Sequence, residues 1–312
     1  MKKILMCVPL MVGLVMMGPR AMAQEMTLML DWFPNVDHLP IYVALEKGYF
    51  AAEGIQLEIL SPSDTADALK LAVAGKVDLA VSYEPQTIIA AAEDLPVRVV
   101  GRLVEHPLTT LLFLKAKGYV SPADLEGKTI GYTVPGLMDV LLTAFAKINA
   151  ITDYTAVNVG FNIVPALTSG QVDAVMGPFK TYETVTMAAK GLEAAYFELE
   201  QWGIPDYDEL ILICGAGTLS EKSGPLRGFV RALARGLEDA RLRPEEALQA
   251  YFRALPDVDQ AIEEAAFKKT QPYFARTQAI DQKRWQTFAD FALAHGLIAK
   301  PVDVRPLLVP LD

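Results

Sequence analysis

The sequence predicts an α/β fold built as two similar lobes, each a mixed sheet flanked by helices, with a ligand cleft between them. Three observations carry that expectation. Apolar runs of strand length alternate with helical patterns from Met26 to Val159. The stretch Gly75-Lys76-Val77-Asp78-Leu79-Ala80-Val81 recurs as Gly170-Gln171-Val172-Asp173-Ala174-Val175-Met176, each copy after a short apolar helix and before a loop that starts another. The segment Leu30-Asp31-Trp32-Phe33-Pro34-Asn35-Val36-Asp37-His38-Leu39-Pro40 joins a strand pattern to a helical one, the position at which open α/β sheets seat small ligands.

The elements follow in order. Met26–Asp31 alternates as a strand, and Leu39–Glu46 reads as a helix closed by Gly48. Ile55–Leu60 is a strand. Ser61-Pro62-Ser63-Asp64 is a turn before a helix that carries Ala68, Leu69, Ala72 and Val73 on one face. Val77–Val81 and Val97–Gly101 are strands on either side of a helix over Pro85–Glu93. The plan then restarts with a strand at Leu111–Leu114, a capped turn at Ser121-Pro122-Ala123-Asp124 and a strand at Thr129–Tyr132. An amphipathic helix over Leu137–Ile148 and a strand at Val157–Val159 complete it. From Gly224 the pattern is helical, and Asp281 caps a last helix whose Trp285, Phe288 and Phe291 read as core.

Composition narrows the function. At 312 residues with 52% hydrophobic and 21% charged content, the chain has room for two packed cores. Lys2 and Lys3 precede an apolar run from Ile4 to Met17, and Ala21-Met22-Ala23 ends in a small-x-small cleavage pattern, so residues 1–23 read as a cleaved secretory signal. Its 14-residue run is too short to span a bilayer comfortably. Removing Lys2, Lys3 and Arg20 from the 28 basic residues leaves 25 against 38 acidic ones. Such a balance argues against nucleic acid and anionic membrane surfaces as partners. Cys7 lies inside the signal, so the exported chain would keep only Cys214 and hold no internal disulfide.

Four strand ends point at one place: Asp31–His38, Ser82–Gln86, Tyr132–Met138 and Gly177–Glu183. They supply Trp32, Tyr83, Tyr132 and Tyr182 as flat faces, with Asn35, Asp37, His38, Glu84 and Glu183 as polar partners. Aromatic faces suit a planar ring, and a carboxylate suits an amino-substituted heterocycle. Each aromatic taken singly could equally pack in the core; the set, at equivalent points after four strands, reads as a site. No metal-ligand spacing, nucleophile elbow or phosphate loop occurs, so neither metal, cofactor nor enzyme is expected. Basic side chains near the strand ends are few, chiefly Lys180 and Arg102, which counts against an anionic ligand. A helix-start hydrogen bond is the role expected of His38.

The residues Leu30-Asp31-Trp32, His38-Leu39-Pro40-Ile41, Lys47-Gly48-Tyr49-Phe50, Gly54, Gly75-Lys76-Val77-Asp78 and Gly127-Lys128-Thr129-Ile130-Gly131-Tyr132 resemble one family. It is the NMT1/THI5-like group of periplasmic solute-binding proteins, and the likeness runs from about Met26 to Ser220. The resemblance is strongest to binders of thiamine pyrimidine precursors such as formylaminopyrimidine. It implies a type II periplasmic binding-protein fold with crossings near His106–Leu112 and Glu209–Cys214, hence lobes of 24–106 with 214–312 and of 107–213. It also implies an ABC permease and its ATPase as partners, and a monomer that closes on its ligand. Trp32, Asn35, Tyr83, Tyr182 and Glu183 become the expected contacts, with Trp32 and the tyrosines stacking on the pyrimidine and Glu183 pairing with its ring nitrogen and amino group. His38 and Tyr132 come second.

The group also holds a fungal hydroxymethylpyrimidine phosphate synthase, from which this sequence departs. Ser82 and Gln86 stand where the synthase has its pyridoxal-phosphate lysine and a histidine, only Cys214 stands in place of its cysteine run, and Thr133-Val134-Pro135-Gly136-Leu137 replaces its glycine-rich loop. Alternatives that keep the fold are a sulfonate, nitrate or other heterocycle as ligand, a periplasmic enzyme, or a sensor partner.

Overall fold

Two five-stranded sheets organise the chain, which the computed structural model describes over residues 23–309 and 311. The reading of residues 1–22 as part of a signal therefore lies outside the described residues. The first lobe begins with β1 (Gln24–Met29), α1 (Leu39–Glu46), α2 (Tyr49–Ala52), β2 (Ile55–Leu60), α3 (Asp67–Val73), β3 (Leu79–Ser82), α4 (Glu84–Ala92) and β4 (Val97–Val104). The second comprises β5 (Thr109–Leu114), β6 (Lys128–Tyr132), α5 (Met138–Ile148), β7 (Tyr154–Asn158), α6 (Ile163–Thr168), β8 (Ala174–Phe179), α7 (Glu183–Ala189) and β9 (Ala194–Glu198). The chain then returns through β10 (Leu210–Gly215) to α8 (Ala216–Leu242), α9 (Pro244–Ala254), α10 (Gln260–Thr270) and α11 (Gln282–His295).

The sheets share one topology. In the first, the order is β2-β1-β3-β10-β4, with β1 parallel to both neighbours and β10 antiparallel to β3 and β4. In the second it is β7-β6-β8-β5-β9, with β6 parallel to both neighbours and β5 antiparallel to β8 and β9. Each antiparallel strand is thus the one that has just arrived from the other lobe. This corrects the second boundary: the return crossing ends before Leu210 and not at residue 214, because β10 ladders with β3 and β4. Its Leu-Ile-Leu-Ile-Cys run is wholly buried, as a central strand requires.

The internal echo has a structural cause. Asp78 Oδ2 accepts from the Thr27 N–H at 2.9 Å, and Asp173 Oδ2 accepts from the Thr129 N–H at 3.1 Å. In both lobes the aspartate ties the loop before one strand to the neighbouring parallel strand, satisfying a backbone donor near its start. Helix α8 lies close on α1: a Cβ at Gly236 would stand 2.1 Å from the Pro40 carbonyl oxygen, so only glycine allows this approach.

The crossings are bound to each other. Glu209 Oε2 accepts from the N–H groups of Leu108 and Thr109 at 2.6 and 2.7 Å, and Oε1 accepts from Thr109 Oγ1 at 2.8 Å. Next to it, Asp208 accepts from Arg102, Arg284 and the Trp285 indole N–H. Trp285 and Phe288 are buried in the core and Phe291 is half-buried against it. The indole of Trp285 supports the crossing as well as filling space.

Candidate functional site

The loop after β1 is held by its own side chains. Asn35, in extended conformation, caps the turn Val36–His38 by accepting from the Asp37 N–H at 2.8 Å. Asp31 is buried and receives two hydrogen bonds, from His38 Nε2 at 2.9 Å and from the Tyr83 hydroxyl at 2.7 Å. One carboxylate therefore joins the loops that follow β1 and β3. His38 spends its hydrogen bond on Asp31, not on the helix start expected of it. Asp37 Oδ1 accepts from Thr270 Oγ1 at 3.0 Å, and burial pushes the Asp37 carboxyl up to about 8.

Between the lobes lies a cavity lined by residues of both. The first lobe contributes Asp31, Trp32, Asn35, Asp37, His38, Tyr83 and Leu210, and the second adds Thr133, Ile163, Gly177, Phe179, Tyr182 and Glu183. Glu183 opens α7, accepts from the Phe179 N–H at 2.7 Å, and has its carboxyl raised by burial to about 7. At Gly177 a Cβ would stand 2.0 Å from Thr133 Oγ1, and φ is +125°, so the wall itself needs glycine here.

Cross-lobe contacts close the cavity. Trp32 leaves the first lobe and packs on the second lobe's cluster around Val159 and Ile163, its ring 4.5 Å from that of Phe161. Phe33 meets the same ring at 4.4 Å. The Tyr182 hydroxyl donates to Glu263 Oε1 on α10 at 2.8 Å, and Tyr251 donates to Oε2 of the same carboxylate at 2.9 Å. Thr65 Oγ1 donates to the Thr133 carbonyl at 2.7 Å.

Seven of the residues singled out from sequence line the cavity: Trp32, Asn35, Asp37, His38, Tyr83, Tyr182 and Glu183. Two do not. Side chains alternate along a strand, and Tyr132 at the end of β6 packs on the core while its neighbour Thr133 faces the cleft. Glu84 is fully buried, and its Oε2 accepts from the Asp208 N–H at 2.7 Å, so it serves the return crossing. Burial and the adjacent Asp208 carboxylate raise its pKa well above the ordinary range. Sequence reading passed over Asp31, Thr133, Ile163, Gly177, Phe179 and Leu210 as individual residues; only the end of an alternating run pointed at Asp31.

Among the described residues, the lining holds no lysine or arginine. Lys180 is turned onto Glu198 and Glu200, both at 2.9 Å, and Arg102 onto Asp208. Ser82 Oγ donates to Gln86 Oε1 at 3.0 Å, so these two side chains pair with each other. Without a lysine among these residues, the cavity does not fit pyridoxal phosphate bound as an imine.

A family model described as NMT1/THI5 like matches residues 35–247. A Haemophilus influenzae protein named as a thiamine biosynthesis protein is 37% identical, over 100% of each chain. The formylaminopyrimidine-binding protein of Halalkalibacterium halodurans is 33% identical over 89% of this chain and 88% of its own. Other relatives are named as 4-amino-5-hydroxymethyl-2-methylpyrimidine phosphate synthases, among them one from Legionella pneumophila at 28% identity over 92% of both chains. In fold, the chain is similar to the alkanesulfonate-binding protein of Xanthomonas axonopodis pv. citri, with a TM-score of 0.72, 16% identity, and coverage of 93% of this chain and 100% of that one. With its family model spanning both lobes and the cleft between them, the chain belongs to the NMT1/THI5-like family.

Proposed function

We propose that this protein is the periplasmic substrate-binding component of an ABC importer and that it binds a small planar aminopyrimidine, a thiamine pyrimidine precursor or a related heterocycle. One observation carries the reading: the cavity combines the rings of Trp32, Tyr83 and Tyr182 with the carboxyls of Asp37 and Glu183, and no lysine or arginine stands among its described lining residues. Rings on both lobes offer stacking area, and an acidic side chain accepts from the amino group and protonated ring nitrogen of such a base. A sulfonate or nitrate would meet carboxyls where it needs arginine or lysine. The name of the Halalkalibacterium relative points the same way. Export would follow from the signal read at residues 1–23, and delivery from docking of the closed lobes on a permease.

Calorimetry with 4-amino-5-hydroxymethyl-2-methylpyrimidine and with taurine and nitrate tests the ligand class. Aminopyrimidine binding that weakens on Glu183→Gln is the expected result; tight binding of taurine or nitrate with none of the pyrimidine overturns it. The synthase names among the relatives support a second reading, a catalyst on the same fold. Turnover abolished by His38→Ala would establish that reading against this one.

A further inference from the structure

Three aromatic rings meet where the lobes come together at the rim of the cavity. Trp32 and Phe33 stand on the loop after β1, and Phe161 on the loop after β7. The Phe161 ring lies 4.5 Å from that of Trp32 and 4.4 Å from that of Phe33, while Trp32 and Phe33 meet edge to face at 6.3 Å. Trp32 lines the cavity, whereas Phe33 and Phe161 do not. Phe33 keeps 51% of its surface exposed even in this contact, which puts it on the outside of the seam. Each loop is built by its own lobe. Asn35 caps the first, accepting from the Asp37 N–H. In the second, the Asn158 side chain accepts from the Gly160 N–H at 2.9 Å, and the Val159 carbonyl accepts from the Asn162 N–H at 2.8 Å. The rings thus stand on scaffolds that do not depend on their meeting.

We infer that Trp32, Phe33 and Phe161 form a clasp that draws the lobes shut without a guest, so that the empty chain already populates the closed form. Hydrogen bonds that span the lobes, such as Tyr182 to Glu263 and Thr65 to the Thr133 carbonyl, exchange for bonds to water when the lobes part. Parted rings have no such substitute, because each turns an apolar face to water. The closing force they supply is set by the protein and not by what it carries, since Phe33 and Phe161 stand outside the cavity lining. A guest then selects a state that is already present. The inference asks for two moving lobes and no particular ligand, so it stands or falls apart from the aminopyrimidine reading.

Pulsed electron paramagnetic resonance tests the clasp on the signal-free chain, stripped of any guest by unfolding and refolding. One spin label is placed on each lobe, at Lys70→Cys and Lys147→Cys; both positions are exposed, and the buried Cys214 escapes labelling. The chain with its three rings intact should show a short distance between the lobes beside any longer one. Phe161→Ala removes both ring pairs that cross the seam and should lower the ratio of short to long by about tenfold. Phe33→Ala removes one pair and should lower it by about threefold. Added to Phe161→Ala, it should change nothing further, because its partner is already gone. A long distance alone with the rings intact refutes the clasp, as does a ratio that Phe161→Ala leaves unmoved or a Phe33→Ala effect that persists without Phe161. Should Phe161→Ala fail to fold, the shift on Phe33→Ala, at a half-exposed position, decides by itself.

Discussion

Replacing Tyr182 by phenylalanine removes one oxygen atom and tests whether the lobes are latched at Glu263. The hydroxyl sits on the second lobe and its acceptor on α10 of the first, 2.8 Å away. A hydrogen bond to a charged acceptor contributes about 1.5–3 kcal/mol. Tyr182 is only partly buried and water can replace it at Glu263, so the lower end applies, roughly a tenfold rise in Kd. The ring stays in place, so the aromatic part of the cavity wall is kept. Because the bond joins two lobes, its loss should fall on closure and not on folding, and the ligand-free melting temperature should move by less than about 2 °C. Tyr251→Phe is the internal control. It makes the same chemical change at the same carboxylate, from α9 of the same lobe, and should lower the melting temperature by more than Tyr182→Phe does. Calorimetry and thermal melting read both effects. An unchanged Kd, or a fall in stability equal to that of Tyr251→Phe, would refute the latch.

The remaining expectations concern stability and the site's shape. Burial raises Asp37 to about 8 and Glu183 and Glu209 to about 7, so the native chain retains protons that the unfolded chain gives up near pH 4. Stability is then full below the unfolded values and is lost as pH rises through the native ones, each group giving a slope of at most about 1.4 kcal/mol per pH unit. His106, raised by Asp206, acts with the same sign. The ligand-free melting temperature should drop by several degrees between about pH 5.5 and about pH 8.5; a rise would contradict the assignment. Gly236→Ala should destabilise by about 1–3 kcal/mol in urea melts, since α8 must back away from Pro40. Gly177→Ala should leave a folded chain, judged by circular dichroism, that loses aminopyrimidine binding because the methyl displaces Thr133 from the cavity wall.

Local chemistry was legible and long-range partnership was not. The bounds of β2 and α1 and the Asp281 cap of α11, whose carboxylate accepts from Lys283 and Arg284 N–H groups, follow from alternation, period and capping alone. The recurrence of Gly-x-Val-Asp announced the paired lobes, although the aspartates proved to be backbone ties. At the site, what failed was parity and partner. Tyr132 and Thr133 differ by one residue, and only the strand's orientation decides which faces the cleft. Asp31, Glu84 and Glu263 are all acids near strand or helix ends; their roles depend on donors 52, 124 and 81 residues away. Leu210 lines the cavity only because β10 crosses back into the first sheet, a fact of topology that no local pattern contains.

The lacing of Leu108 and Thr109 to Glu209 has a mechanical outcome. Two strands that run side by side but unconnected could shear or twist independently, and the lobes could then drift apart in many directions. Stitched at three points through one carboxylate, they bend like the spine of a book. Any swing of the covers is thereby restricted to nearly one axis, so the gap between their outer edges reduces to a single coordinate.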